Sequence, residues 1–514
     1  MLMPLASNAR RKMVSRGFSV PPPVGGLNGR DALADMDEAD AIQLDNFFPE
    51  PNYVSLRRGY SSHATGISGA VTTLMEWAGP ASRKMFGANV SAIYNVTSPG
   101  AVGAADVSSL TNGRWQHVMQ TTSGGNYLMI CNGADSVRSY DGSSWATPAI
   151  TNVTSANLIN IALHKRRLWF VEKDSTSAWY LPVDSIAGAA VEFDLGPQFQ
   201  MGGRLVAIGT WTRDGGSGPD DFAVFISSLG EVAIYAGTDP SSASTWAIVG
   251  VFRLGQPIGN RCLIKTGGDI AIITQDGVVS LTRMLTLDRS VSARAAITDK
   301  ISDLFKMSAR TYGPNFGWQG CVYPRANMVL FNIPQTENTT QIQFVMNTLT
   351  GSWCRFTGLN AACWSLFNDE LYFGGNSGTV WKADTGFQDD GGGITGDIKT
   401  AFNYYGSRGQ QKLFKMIRPI FSSNGSPGFL LDLNVDFEDR EPTSSPTVTP
   451  NAGALWDVAV WDVDVWGAGE TIRRDWVGVA GMGMSAAIRL RITSDGASCT
   501  LNSFDVATEM GGLL

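Results

Sequence analysis

The sequence predicts an all-β chain, a β-propeller of about seven blades followed by a C-terminal β-sandwich domain, and three observations carry that expectation. The 58 glycines, 22 prolines and 15 tryptophans among 514 residues suit many tight turns joining short strands with bulky cross-strand packing. One unit recurs along the chain, an apolar run, a Gly, Asn or Asp turn and a second apolar run, which is the signature of a hairpin. The units begin roughly every 40–60 residues, about the length a four-stranded blade needs.

Seven such units follow in order. They are Lys84–Phe86 turning to Ala92–Tyr94, Tyr127–Ile130 to Val137–Tyr140, and Leu168–Val171 to Ala178–Leu181. Then come Phe222–Phe225 turning to Val232–Tyr235, Ile270–Ile273 to Val278–Leu281 through Asp276-Gly277, and Met328–Phe331 to Ile342–Val345. The last is Leu371–Phe373 turning at Ser377-Gly378 to Val380-Trp381. Solenoid repeats keep a tight period because each stacks on a similar neighbour, whereas propeller blades tolerate unequal loops such as the one between Leu285 and Asn327, so a propeller is the better choice.

The flanking segments differ. Residues 1–26 are polar and then proline-rich at Pro21, Pro22 and Pro23, which predicts an extended N-terminal arm over 1–40. The acidic run Asp31–Asp40 suits one or two helical turns, and Tyr53, Val54, Leu56 and Tyr60 suit an early strand. Between Arg289 and Met307 the residues Ala293, Ala296, Ile297, Ile301, Leu304 and Phe305 fall at helical spacing and predict a short helix at a blade junction. The run Gly391-Gly392-Gly393 separates a propeller domain over 41–392 from a sandwich domain over 393–514. In the latter, Ile488–Ile492 and Thr500–Phe504 flank an Asp495-Gly496 turn, and a tryptophan run extends from Leu455 to Trp466. Strand alternation puts Trp456 and Trp461 on opposite faces unless a bulge intervenes.

A net charge of −7 with 17% charged residues argues against holding nucleic acid by phosphate neutralisation, which wants clustered Lys and Arg. It suits a wall past which a duplex slides. Cys131, Cys262, Cys321, Cys354, Cys363 and Cys499 have no paired short spacing for zinc or redox chemistry and are expected to be buried thiols. Basic residues Arg10, Arg11, Lys12 and Arg16 precede no apolar stretch of a secretory signal, and no run reaches the ~18 apolar residues of a span, so synthesis in the cytoplasm is expected.

No constellation for catalysis stands out. His63, His117 and His164 are remote from one another and from any ligand motif, so the expectation is no catalytic, cofactor-binding or metal residue, and no cofactor. Phosphate-binding loops and Gly-x-Ser-x-Gly elbows are absent from the sequence. The acidic clusters Asp220-Asp221, Asp389-Asp390 and Glu438-Asp439-Glu441 suit solvated loops more than the ~5–9 Å carboxylate pair of a glycosidase. Ser139–Trp145 approaches the Ser-x-Asp-x-Gly-x-Thr-Trp box of sialidase propellers without its spacer, and even a full match is a structural turn. Trp169 is expected in a strand core, with Lys165, Arg166 and Arg167 in the preceding turn.

Three features together resemble the tail nozzle proteins of short-tailed bacteriophages, the tail tubular protein B family. They are the entry segment Pro21–Asn28 through Asp45–Pro49 and Leu56–Tyr60, the train of blade-like hairpins, and the run Trp456–Trp466 with the terminal Glu509–Gly512. The features span nearly the whole chain, and no residue-level role is carried over. The resemblance implies a non-enzymatic virion protein assembled in the host cytoplasm as a homo-hexameric ring. Such a ring sits below the connector or adaptor ring, beside tail fibre or needle proteins, and its channel retains double-stranded DNA and then ejects it. A carbohydrate-binding or glycan-depolymerising tail propeller is the alternative expectation. A scaffold propeller is disfavoured because Trp456-Asp457 and Trp461-Asp462 stand too close to end successive blades.

Overall fold

The computed structural model describes residues 15–214, 219–284, 296–445 and 470–513. The chain divides into two compact units, one holding 58–351 and 355–391, the other the described parts of 1–57, 352–354 and 392–514.

The larger unit is all-β with a propeller arrangement. Five blades stand as separate antiparallel sheets. The first comprises Thr73–Ala78, Arg83–Ala88 and Ile93–Asn95, the second Gln116–Thr122, Gly125–Cys131, Arg138–Tyr140 and Trp145–Ala146, and the third Leu158–His164, Arg167–Glu172, Ser177–Tyr180 and Val191–Asp194. The fourth comprises Leu205–Asp214, Pro219–Ser227, Glu231–Gly237 and Trp246–Arg253, and the fifth Leu263–Thr266, Asp269–Thr274 and Gly277–Ser280. Two further meanders lie in larger sheets: Gln319–Tyr323, Met328–Thr336 and Thr340–Asn347, then Ala361–Phe367, Glu370–Gly375 and Val380–Ala383. The early strand expected through Tyr53, Val54, Leu56 and Tyr60 is two strands, Val54–Leu56, which pairs with Phe47–Pro49, and Tyr60–Thr65, which pairs antiparallel with Val380–Ala383. Each of the seven expected hairpins is an antiparallel pair, although only five belong to free-standing blades.

Apolar faces of successive blades press on one another, so the core is distributed round the unit. Between the first and second blades lie Met75, Trp77, Phe86, Trp115 and Leu128. The third and fourth share Trp169, Tyr180, Phe225, Tyr235 and Trp246, and the fourth and fifth share Trp211, Ile234, Ile272 and Val279. A sheet with two buried faces needs apolar residues at consecutive positions and loses strict alternation. Gly277–Ser280, buried at all four positions, is of that kind.

Of the predicted helix, the described part runs further than its apolar spacing suggested, past Met307 to Tyr312. A 3-10 turn at Asp299–Ile301 leads into an α-helix at Ser302–Tyr312, while the expected start at Arg289 lies outside the described residues. Ile301, Phe305, Ser308 and Ala309 form its buried stripe, and Phe305 meets Trp318 with ring centroids 5.9 Å apart. No helix among the described residues is long and apolar enough to cross a membrane.

In the smaller unit the described part of the expected N-terminal arm is held by strand pairing, and residues 1–14 lie outside the described residues. Ser15–Val20 is a strand antiparallel to Thr500–Leu513, with Ser15 opposite Glu509 and Val20 opposite Phe504. Gly26–Leu27 pairs parallel with Asp40–Asp45. Val20 and Leu27 are buried, so the segment carries anchors that its polar average hides. The acidic run Asp31–Asp40 forms turns in place of helix, and the Asn28 side chain donates to Asp31 at 2.9 Å and to Asp40 at 2.7 Å.

Two sheets make up this unit. One carries Gln410–Ser423 between Thr500–Leu513 and the strands Thr471–Arg473 and Val477–Gly483. The other contains Asp40–Asp45, Thr395–Thr400, Ala486–Thr493 and Gly428–Val435 in that order. Phe421 of the first and Phe429 of the second meet edge-on at 5.5 Å. The tryptophan run Trp456–Trp466 lies outside the described residues.

Candidate functional site

The opening strand of every meander in the larger unit contributes to a single cavity of about 220 Å³. Thr73, Gln116, His117, Asn160, Ile208, Leu263, Gln319 and Cys363 come from seven different strands, so the cavity lies where those strands converge. Polar side chains tie the strands to one another there. Asn160 accepts from the Ile208 N–H at 3.2 Å and donates to the Asn260 carbonyl at 3.3 Å. Gln319 donates to the Trp364 carbonyl at 2.8 Å and accepts its N–H at 3.1 Å. An amide side chain offers both a donor and an acceptor, and so substitutes for a neighbouring peptide group where blades splay apart.

Arg261 is the central charge. From the entrance to the fifth blade it reaches the first and second, Nη1 donating to the Thr72 carbonyl at 3.1 Å, Nη2 to Thr73 Oγ1 at 2.6 Å and to the Trp115 carbonyl at 3.0 Å. The Thr73 hydroxyl also donates to the Gly113 carbonyl and accepts the Trp115 N–H. The Phe316 ring lies 5.0 Å from the Arg261 guanidinium carbon and 4.5 Å from that of Arg114, while Arg114 pairs with Glu337 at 2.5 Å. Burial disfavours the charged form of Arg261.

His117 stands on the same cavity. It keeps solvent-accessible surface, yet desolvation among the converging strands, then the Arg261 charge, push its pKa down to about 4. Burial raises the Cys363 thiol to about 11, against the lowering influence of Arg261. At neutral pH the lining therefore presents one cation, a neutral imidazole and an unreactive thiol.

The structure separates the three histidines. His63 Nε2 is 2.9 Å from the Val96 carbonyl. His164, 2% exposed, places Nδ1 3.2 Å from Thr210 Oγ1 and its ring against Trp246. All six cysteines are buried and free. Among the described residues no three His, Cys, Asp or Glu side chains group as metal ligands.

The acidic clusters go to separate places. Asp221 accepts from Thr212 Oγ1 at 2.8 Å and pairs with Lys165 at 3.4 Å. Asp390 occupies a positive-φ turn, while Asp439 and Glu441 pair with Arg489 of the smaller unit. In the Ser139–Trp145 box, Asp141 accepts the Ser143 and Ser144 N–H groups at 2.7 Å each. These bonds lower its pKa to about 2 and make the segment a turn. Trp169 is fully buried, as its strand pattern implies. Lys165 and Arg166, at φ 47 and 60, form the two-residue turn before it, whereas Arg167 already belongs to the strand and stacks on Tyr180 at 5.7 Å.

Sequence reasoning missed Arg261 and left His117 without a role. Neither sits in a motif. Their one sequence signal is position, since Arg261 lies two residues before and His117 within the first strand of a blade, where the blades converge.

No family model matches the chain, and no curated protein matches it. Among solved structures, the computationally designed Ika8 protein is 11% identical with a TM-score of 0.36, covering 63% of this chain and 100% of that one. BBS1N, solved in complex with ARL6DN and soaked with lead, is 10% identical with a TM-score of 0.40, covering 65% of this chain and 99% of that one.

Proposed function

We propose that this chain is a structural component of a short-tailed phage virion, a wall segment of a homo-hexameric tail nozzle that retains and then ejects DNA. In this reading the larger unit closes as a seven-bladed propeller whose seven opening strands line the axial cavity, and the smaller unit is a β-sandwich. A cavity of 220 Å³ admits no duplex, whose major groove alone is ~12 Å wide. Any passage for DNA therefore lies between copies of the chain.

The observation that carries the reading is the outer strand of the fourth blade. Trp246–Arg253 ends its sheet, and Ile248, Val249 and Val251 are 42%, 53% and 36% exposed along it. An edge strand with unpaired main-chain groups and apolar side chains is a template for association, which monomeric proteins blunt with charge or proline. Here the edge has a bulge at Val249 and a charge only at Arg253, and the apolar side chains between are left exposed, as lateral contact within a ring requires.

Native mass spectrometry and electron microscopy of the purified chain test this. Rings with a lumen are expected, and Val249→Lys, placed on a solvent-facing position, is expected to shift them to monomers without lowering the melting temperature. A wild-type chain that stays monomeric at every concentration overturns the proposal. So does turnover of a surface glycan that a single acidic substitution abolishes, the result the carbohydrate-acting alternative requires.

A further inference from the structure

We infer that the axial cavity is a binding site for a small oxyanion, phosphate or a carboxylate of similar size, held by Arg261 and His117. The inference goes beyond the nozzle reading and stands without it.

Charge comes first. No carboxylate among the described residues pairs with Arg261, whose three hydrogen bonds all go to neutral acceptors, two carbonyls and a hydroxyl. Arg114 adds a second cation beside the shared Phe316 ring, and Glu337 offsets only one of the two. An enclosed guanidinium without a counter-charge is costly, and proteins resolve that cost by pairing it. The chain carries a net −7, so this local excess of positive charge opposes the general balance.

Donor geometry comes second. A guanidinium has five N–H donors. Three of those of Arg261 are used, two of them on Nη2, which leaves Nε–H and one Nη1–H as two separate donors on opposite sides of the group, each free to give one bond to an oxyanion. His117 makes no side-chain hydrogen bond among the described residues and stands on the same cavity, adding an imidazole N–H when neutral. Asn160 and Gln319 already spend their amides on main chain, so they frame the site without competing for it.

Space and access come third. The volume of about 220 Å³ is many times the ~10–15 Å³ that one water needs. His117 remains accessible on it, which gives an anion a way in. Neutral His117 donates to an anion without adding charge, and protonation below its depressed pKa tightens binding further in acid. Among the described residues Arg261 and Cys363 are the other ionisable groups on the cavity lining, and Arg261 is the charge that acts on His117.

Inorganic phosphate and acetate, each against chloride at equal ionic strength, are titrated into the full-length chain while the melting temperature is followed. A saturable rise is expected with phosphate or acetate and none with chloride, since a ligand that binds only the folded state raises its stability. Preference for one anion distinguishes the two sources. Arg261→Gln is expected to raise the phosphate dissociation constant at least ~10-fold, and His117→Ala, which leaves the Arg261 bonds to Thr72, Thr73 and Trp115 intact, by a smaller factor. Crystals soaked in selenate locate the site directly if Arg261→Gln does not fold. A selenium peak within hydrogen-bond reach of Arg261 supports the inference. A titration indistinguishable from chloride, or a peak elsewhere with the cavity empty, overturns it.

Discussion

Arg489 holds both oxygens of Asp397, Nε donating to Oδ1 at 2.7 Å and Nη2 to Oδ2 at 2.9 Å, with the two side chains only 4% and 8% exposed. Arg491 adds two bonds to Asp397 Oδ2 at 3.1 and 2.8 Å. The remaining partners of Arg489, Asp439 and Glu441, have side chains 75% and 64% exposed. Removing the buried carboxylate leaves a guanidinium without its main counter-charge in a desolvated place, which costs about 3–5 kcal/mol. Asp397→Asn is expected to destabilise the smaller unit by that amount, while Glu441→Gln changes stability by less than ~1 kcal/mol. Hydrogen exchange of the Thr395–Thr400 and Ala486–Thr493 amides reads both. Equal loss of protection in the two variants contradicts this division.

His164 makes the larger unit acid-sensitive. Burial, then the neighbouring Lys165 charge, push its pKa down to about 4, against the opposing pull of Asp221. A base whose folded pKa lies below its unfolded one, near 6.5, takes up its proton preferentially on unfolding. Its contribution is complete above pH ~6.5 and is lost as pH falls toward 4. For a 2% exposed ring the loss reaches up to about 3 kcal/mol across that window. Urea midpoints at pH 7 and pH 4.5 are expected to fall further apart for the wild type than for His164→Gln. Parallel pH profiles remove His164 as the cause.

How much of this was legible follows from which interactions are local. The hairpins were readable because both strands and the turn lie within a few residues, as with Ile270–Ile273, Asp276-Gly277 and Val278–Ser280. The pairing of Tyr60–Thr65 with Val380–Ala383 and of Ser15–Val20 with Thr500–Leu513 joins residues hundreds of positions apart, and neither strand carries a sign of its partner. The strands lining the axis were hard to see for another reason. Gln116–Thr122 is the clear case, with a single buried residue, Gln120, so it lacks the apolar alternation that marks a strand. Arg261 escaped notice because its meaning lies in reaching Thr73, which is 188 positions away in the chain and in another blade.

Trp169 is the largest organiser between the third and fourth blades. Its ring stacks on Trp246 at 5.7 Å and 16°, and meets Phe225 at 5.6 Å and Tyr180 at 4.8 Å. Trp169→Ala is expected to cost about 3–5 kcal/mol, from lost transfer energy and the cavity left among rigid rings. Trp169→Phe keeps a ring in place and deletes an indole N–H that has no acceptor, so it costs less. The near-ultraviolet circular dichroism of folded variants should lose the coupled tryptophan signal in both. If alanine proves no worse than phenylalanine, the packing assigned to the indole is wrong.

Gly378 separates two costs usually confounded. It ends the turn of the last meander at φ 83, and its carbonyl accepts the Ile67 N–H at 3.2 Å. A β-carbon there would collide with the Ile67 carbonyl, a backbone group with no freedom to withdraw, because the Ile67 side chain is anchored beside Val71, Tyr372 and Val380. Gly386 has φ 61 but open space around it. Gly386→Ala therefore carries the left-handed backbone penalty alone, about 1 kcal/mol. Gly378→Ala adds displacement of the Ile67 main chain and is expected to exceed it by at least ~1–2 kcal/mol. Melting temperatures of the two variants give the difference directly, and an equal drop would mean that the turn yields where close approach says it cannot.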